Sequence, residues 1–360
     1  MVLTWPGRPG STTHSNDEMS KTNSPIDVLI TVPISFTLTK PLQEVSPLLR
    51  ITVHPAESVE NVPDELWARC EVLYTKRIVP DAMLAPNLKW VQYHYAGIDA
   101  STEIISLDKP NLIVTTMSGA AASQVAEYVL TMLLAFGRQL LALSANQKKA
   151  EWPRDRWERF KPRELRTSTV GIIGYGSIGR QVACLLRQFG ATVLATKHDA
   201  MHPNDGGYVP EGSGDLQGDL VHRLYPAQAL RSMLKDCDFI VVAVPLTNET
   251  RGLIDAQVLA ACKPSAYLID VSRGGIVDHI ALIKALIEHR LAGAALDVFP
   301  EEPLPKKSPL WEMSNVIITP HIAGISAHYD ERAMALFAEN LSRYVADLPL
   351  FNAFDFKKGY

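Results

Sequence analysis

The 360-residue chain has little cysteine, and its four cysteines (Cys70, Cys184, Cys237, Cys262) are scattered with no CxxC pair. That excludes a disulfide framework and a CxxC-type metal or redox site. The expectation is reduced thiols in a cytoplasmic protein, with no metal. None of the four lies in a motif with a general base, so no cysteine is read as a nucleophile. Excess positive charge is also missing. There are 35 Lys and Arg against 39 Asp and Glu, a net charge of −4, so no nucleic-acid partner is expected. No apolar run approaches the ~18 residues of a membrane span. The N-terminus lacks the basic-then-apolar build of a secretory signal.

What is present is length enough for two domains and an ordinary globular share of hydrophobic residues, 47%. Residues 1–24, rich in Gly, Pro, Ser, Thr and Asn without a period, read as a disordered tail. Met19, just before the ordered part, is a second candidate start. From Pro25 short β-rich runs recur about every 20 residues: IDVLITV, LLRITVHP, EVLYTKR, KWVQYHY and LIVTT. Helical stretches such as DAMLAPNL are expected between some of them. The pattern predicts a small parallel α/β domain ending near residue 120. One long helix is expected over SQVAEYVLTMLLAFGRQLLALSANQ, apolar around much of its circumference and therefore buried between domains or subunits. A second α/β unit starts at Thr169, with six strands: TVGIIG, TVLAT, FIVVAV, AYLIDV, GAALDV and VIITP. Six strands with helical crossovers make a doubly wound dinucleotide fold. The last helix, YDERAMALFAENLSRYVAD, is expected to pack back on the first domain. Between TVLAT and FIVVAV lies a Gly- and Asp-rich loop, residues 199–222, longer than most such connections. It reads either as a mobile surface insertion or as a cover over the adenosine half of a cofactor.

Four motifs carry the chemistry. Residues 174–179 read GYGSIG, after a strand and opening a helix. Gly174 permits the tight turn, Gly176 lets a pyrophosphate approach the backbone, and Gly179 lets the helix pack on the strand. In LIDVSRGGIVD a buried strand ends just before Arg273. An arginine there can hold a carboxylate through two parallel hydrogen bonds, or it can be a surface arginine paired with a nearby Asp. LDVFPEEPL and TPHIAGIS follow apolar strands, which brings Asp297, Glu302 and His321 toward one sheet edge. A histidine held by a carboxylate has a fixed tautomer and a stabilised imidazolium, as a general acid/base near neutral pH requires. Most of the ten histidines are structural; His279 and His289 receive no role.

In this order and spacing the four motifs resemble the D-isomer-specific 2-hydroxyacid dehydrogenase family, over roughly residues 25–345. The resemblance also takes in VQYHYAGID and SQVAEYVLTMLLA. It implies two Rossmann-like parallel-sheet domains. One is a flavodoxin-like substrate domain, residues 25–125 plus 325–360. The other is a doubly wound dinucleotide-binding domain, residues 126–324. The two close over a cleft about hinges at the two crossings. It implies an enzyme that reduces a small 2-oxo acid, such as glyoxylate or hydroxypyruvate, to the D-2-hydroxy acid, or the reverse, with NAD(P)H. Arg273, Glu302 and His321 match the catalytic set; Glu302, directly before the proline, matches better than its neighbour Glu301. Ala96, Gly97 and Ile98, with Arg273 and His321, match the substrate site. On the cofactor side the matches are Gly174, Tyr175, Gly176, Ser177, Ile178, Gly179, Pro245, Thr250, Val271, Ser272, Asp297, His321 and Gly324. Tyr93, His94 and Tyr95 are expected to narrow or hydrogen-bond the substrate pocket. The family is usually dimeric, and EWPRDRWERF (151–160) falls where its dimer arm lies.

Competing readings remain. Formate dehydrogenases share the fold but place Gln beside the His, which Glu302 argues against. Phosphite dehydrogenases are harder to separate by motif. A non-enzymatic NAD(H)-sensing corepressor on the same fold would retain the triad. The cofactor is read from the end of the second dinucleotide strand, where NAD-specific folds place an acid. Here the position falls on Lys197, with His198 next and Thr196 as a candidate hydroxyl donor. Asp199 lies two residues on. Lys197 favours NADP over the alternative, NAD.

Overall fold

The computed structural model describes residues 24–98, 109 and 111–360. The readings of the N-terminal tail and of Met19 lie outside them, apart from Ser24.

The first five β-rich runs form β1 (Ile26–Ile30), β2 (Leu49–Val53), β3 (Val72–Thr75), β4 (Trp90–Tyr93) and β5 (Ile113–Thr115). They pair in parallel in the order β2-β1-β3-β4-β5, the flavodoxin-like arrangement. A parallel sheet is covered on both faces, which is why its strands read as apolar runs rather than alternating ones. One face packs Val28, Ile30, Val72, Tyr74 and Trp90 against Ala333, Met334, Leu336, Phe337 and Leu341. Those five belong to the last helix, Tyr329–Val345, which returns to this first lobe as expected. The other face packs Leu29, Leu73, Val91 and Val114 against Trp67 and Leu88.

The second lobe holds β6 (Thr169–Ile173), β7 (Thr192–Lys197), β8 (Arg223–Pro226), β9 (Phe239–Val242), β10 (Tyr267–Asp270), β11 (Gly293–Leu296) and β12 (Val316–Ile318). Their order, β12-β11-β10-β9-β6-β7-β8, is a doubly wound sheet. It has one strand more than expected. β8 is a short edge strand of which only Tyr225 is buried, so it carries almost no apolar signal.

Two helix expectations need correction. DAMLAPNL forms turns rather than a helix. Asp81 accepts the N–H of Leu84 at 2.8 Å and closes a single turn, and Pro86 disfavours helical backbone at Ala85. The expected long helix is two, Ala122–Gly137 and Leu140–Lys148, bent by 63°. The break lies where the chain returns. Arg163 donates its N–H to the Gly137 carbonyl at 2.9 Å, and Gln139 adopts a left-handed φ of 54°. Ala122–Gly137 is buried against the second lobe, through Val125, Ala126, Val129, Leu133 and Phe136. Among the described residues no single helix is long and apolar enough to cross a membrane.

The last helix is therefore part of the first lobe's core. Phe337 lies 4.8 Å from the Tyr74 ring and 5.5 Å from Trp90. Phe337→Ala is expected to cost about 3–5 kcal/mol in chemical denaturation; a loss under about 1 kcal/mol would mean that the helix is not a core element.

Candidate active site

The carboxyl ends of both sheets carry the residues singled out in the sequence. At the end of β6, Gly174 has φ +101° and a Cβ there would lie 2.7 Å from the Ala243 carbonyl. At Gly179 a Cβ would lie 2.2 Å from the Gly174 carbonyl, whereas at Gly176 it would meet nothing within 4 Å. Two of the glycines are thus demanded by backbone packing, and the third leaves open space in front of the turn. Ser177 and Ile178 begin the helix Ser177–Gln188, whose first-turn N–H groups have no partners within the helix. Open space facing unpaired N–H groups fits a dinucleotide pyrophosphate.

At the end of β10, Ser272 donates its N–H (3.1 Å) and its hydroxyl to Asp270 Oδ1. Burial pushes the Asp270 carboxyl up to about 7, although the Ser272 hydrogen bonds oppose it. Val271 and Ser272 are buried. Arg273 donates to the Ser272 carbonyl at 2.8 Å. Its guanidinium crosses the cleft to lie on Gly97 of the first lobe. A Cβ at Gly97 would sit 1.8 Å from Arg273 Nη2. Ala96 and Gly97 face outward beside it, and Ile98 is buried.

Past β11 and β12, Asp297 is 2% exposed and fully engaged. It accepts the Thr319 hydroxyl at 2.5 Å and the N–H groups of Ile322 and Ala323 at 2.9 Å each. Its own carbonyl accepts the His321 N–H at 2.9 Å. These bonds hold His321 at a left-handed φ of 55°. His321 Nδ1 pairs with Glu302 Oε2 at 2.8 Å, and Glu302 Oε1 accepts the Phe299 N–H at 2.9 Å. Burial raises the Glu302 carboxyl. The His321 and Phe299 hydrogen bonds, with the charges of His321 and Arg273, outweigh burial and hold it below its ordinary value. His321 is half exposed, and its other ring nitrogen, Nε2, lies outside this pair. Glu302, not Glu301, makes the pair.

Other sequence readings are placed as follows. Tyr93 and His94 are buried inside the first lobe. His94 Nδ1 is 2.7 Å from the Tyr74 hydroxyl, and its carbonyl accepts the Tyr329 hydroxyl at 2.6 Å. Burial lowers the His94 ring to about 4. Of the three residues only Tyr95 is exposed. Beyond β9, Thr250 donates to the Pro245 carbonyl at 2.6 Å and ties that loop to itself. Three long-range bonds around the cleft went unread in the sequence. The Tyr128 and Thr319 hydroxyls are 2.7 Å apart, Gln124 donates to the Gly324 carbonyl at 2.9 Å, and Arg332 donates to Gln124 at 2.5 Å. Among the described residues no His, Cys, Asp and Glu cluster able to hold a metal forms.

At the end of β7, Lys197 is the last strand residue and His198 follows, exposed. Lys197 Nζ donates to the carbonyls of His202 and, at 3.0 Å, Asn204. Thr196 corrects an expectation. It is buried, and its hydroxyl accepts the Gly174 N–H at 3.3 Å inside the turn. Asp199 is turned back on its own loop, accepting the N–H groups of Met201 and His202 and pairing with His202 Nδ1 at 2.6 Å.

Comparison with known proteins agrees with this geometry. The family profile "D-isomer specific 2-hydroxyacid dehydrogenase, NAD binding domain" matches residues 130–323. A glyoxylate reductase of Thermofilum pendens is 33% identical over 79% of this chain and 80% of its own length. A D-3-phosphoglycerate dehydrogenase of Methanocaldococcus jannaschii is 31% identical over 88% of this chain, which spans 57% of that longer protein. The crystal structure of a D-isomer specific 2-hydroxyacid dehydrogenase of Xanthobacter autotrophicus Py2 with NADPH and MES superposes with a TM-score of 0.75 at 29% identity, covering 94% of this chain and all of the other. With its two parallel sheets, glycine turn and His–Glu pair, this chain belongs to the D-isomer specific 2-hydroxyacid dehydrogenase family and is an NAD(P)-dependent oxidoreductase of 2-oxo and 2-hydroxy acids.

Proposed function

We propose that the protein reduces a small 2-oxo acid, of the size of glyoxylate or hydroxypyruvate, to the D-2-hydroxy acid with NADPH in preference to NADH. The reading rests above all on the His321–Glu302 pair at 2.8 Å beside an arginine seated on Gly97. Arg273 holds the substrate carboxylate through two parallel hydrogen bonds, together with backbone N–H groups of residues 96–98. Protonated His321 donates from Nε2 to the oxygen that becomes the alkoxide, and ionised Glu302 stabilises the imidazolium. Reduced nicotinamide, when bound, supplies the hydride. Asp297 acts through the His321 loop. Gly174 to Gly179, Val271, Ser272, Pro245, Thr250 and Gly324 line the cofactor's path. The substrate lobe comprises residues 25–125 plus 325–360, and the dinucleotide lobe 126–324.

The NADPH preference is supported by Lys197 at the end of β7 and by the commitment of Asp199 to its own turn. The relative from Xanthobacter autotrophicus was solved with NADPH. One observation favours NADH: Glu249, from the loop after β9, reaches within 3.8 Å of His198 and brings an acid to the same edge. A homodimer is supported by Trp152 and Trp157, which are 84% and 75% exposed in the arm segment. All four thiols are free, which suits the cytoplasm.

His321→Ala or Arg273→Ala is expected to lower kcat/KM for oxo-acid reduction by at least about 10²-fold. Glu302→Gln should move the alkaline fall-off of reduction to lower pH, because the charge favouring imidazolium is gone; full activity with an unmoved profile would remove Glu302 from the mechanism. Gly97→Ala tests the clamp separately. The three atoms nearest its new Cβ all belong to the flexible end of Arg273, so the fold should tolerate it. The KM for oxo acid should rise at least about 10-fold by displacement of the guanidinium; an unaltered KM would show that the arginine does not grip substrate in this position. For the cofactor, wild-type kcat/KM should be higher with NADPH than with NADH, and Lys197→Asp should shift the ratio toward NADH. A wild-type preference for NADH would assign the decisive role to Glu249.

A further inference from the structure

The insertion at 199–222 neither floats free nor simply covers the adenosine end. Its centre is bolted to the glycine turn. Arg180, one residue past Gly179, is 1% exposed and spends its guanidinium on the insertion. It donates to the carbonyls of Asp215 and Pro203 and pairs with Asp205 at 3.2 Å. The same guanidinium stacks 4.7 Å over the Tyr175 ring. Tyr175, the residue between the first two glycines, donates its hydroxyl to Asp215 Oδ2 at 2.5 Å. The Asp215 carboxylate also accepts the N–H groups of Gly218, Asp219 and Leu220, each at 3.0 Å. Burial raises that carboxyl, but the Tyr175 hydroxyl and the three N–H groups outweigh it and keep it below its ordinary value. Gly214 donates to Gln181 Oε1 at 2.6 Å.

The insertion is also anchored on the opposite lobe. Tyr208 donates its N–H to Asn352 Oδ1 at 3.3 Å, and its ring packs beside Phe351. Its carbonyl lies against Gly119, where a Cβ would approach to 2.5 Å. Between these two anchors lies a small recess, of about 10 Å³, beside Ser177, the first residue of the glycine-turn helix.

We propose that the insertion is a working part of the cofactor site: Asp215 and Arg180 are positioning residues that hold Tyr175, and through it the pyrophosphate turn, at a fixed place relative to the substrate lobe. The reasoning is that a turn which binds through backbone N–H groups gains affinity by being held in its bound shape before the ligand arrives. Tyr175 is locked from both ends, by its N–H to the Thr196 carbonyl at 2.9 Å and by its hydroxyl to Asp215. Removing the second lock leaves the turn free to move without touching His321, Glu302 or Arg273.

The inference rests on the dinucleotide site but not on the identity of the oxo acid, so the test measures cofactor binding without substrate, by fluorescence titration of NADPH and of NADH. Asp215→Ala should weaken both about 5- to 10-fold. At saturating cofactor, kcat and the KM for oxo acid should stay within about twofold of wild type. Asp215→Asn keeps one oxygen for the Tyr175 hydroxyl but turns an amide NH2 toward the N–H groups of Gly218 and Asp219, so it should recover only part of the affinity. Tyr175→Phe, which deletes one oxygen and keeps the packed ring, should weaken binding about 3- to 5-fold even if Asp215→Ala fails to fold. Cofactor affinity within twofold of wild type in Tyr175→Phe, or in a folded Asp215→Ala, would overturn the proposal, whatever happens to the melting temperature.

Discussion

The carboxylate of Asp297 is the fixed point of the catalytic side. It closes β11, and both its oxygens are committed to the chain that follows β12. Left to local preference His321 would avoid left-handed backbone, which costs a non-glycine residue roughly 1–2 kcal/mol. Hydrogen bonds to this buried side chain contribute on the order of 1 kcal/mol each and together offset that cost. The strain turns the imidazole out of the sheet edge, where Glu302 meets it. The Asp297 oxygens thus act at one remove. They set a backbone angle, and the angle sets where the ring stands.

Across the cleft the constraint is steric instead of electrostatic. The guanidinium of Arg273 occupies the volume that any side chain at residue 97 would need. The glycine there is required by another lobe's side chain, not by its own backbone angle. Behind it His94, Tyr74 and Tyr329 form a buried, hydrogen-bonded floor, with His94 neutral at ordinary pH. The loop of residues 96–98 therefore rests on a rigid base, while the group it faces is the tip of a long, flexible chain. Geometry at this junction is set by the lobe that does not carry His321.

Much of this was legible in the sequence because parallel sheets concentrate their signal. Strands such as those of β6, β9 and β10 are apolar on both faces, so each reads as a bounded run, and the glycines between them have single steric purposes. Arg273, Glu302 and His321 follow such runs directly, and Lys197 could be placed by counting along its strand. What escaped was long-range or weakly apolar. β8 buries a single residue. The kink after Gly137 is imposed by Arg163 arriving from a later part of the chain. The Tyr128–Thr319 contact joins residues 191 apart. The insertion stayed open between a mobile loop and a cover because Gly and Asp suit both. Here the aspartates are acceptors for N–H groups and for Arg180, and the glycines fit tight turns around them.

The return of the last helix to the first sheet has a consequence for how the chain is made. The first lobe leaves the ribosome first, yet Ala333, Met334, Phe337 and Leu341, which help to cover one face of its sheet, are synthesised after the entire second lobe. Until then Val28, Val72 and Trp90 have only part of their cover, from Leu42 and its helix. The dinucleotide lobe can close around its own core in the meantime, since domains fold as units during synthesis. The nascent protein thus passes through a stage with one finished lobe and one partly covered β-sheet. That stage, more than the mature surface, is where this fold is open to aggregation and to the attention of chaperones.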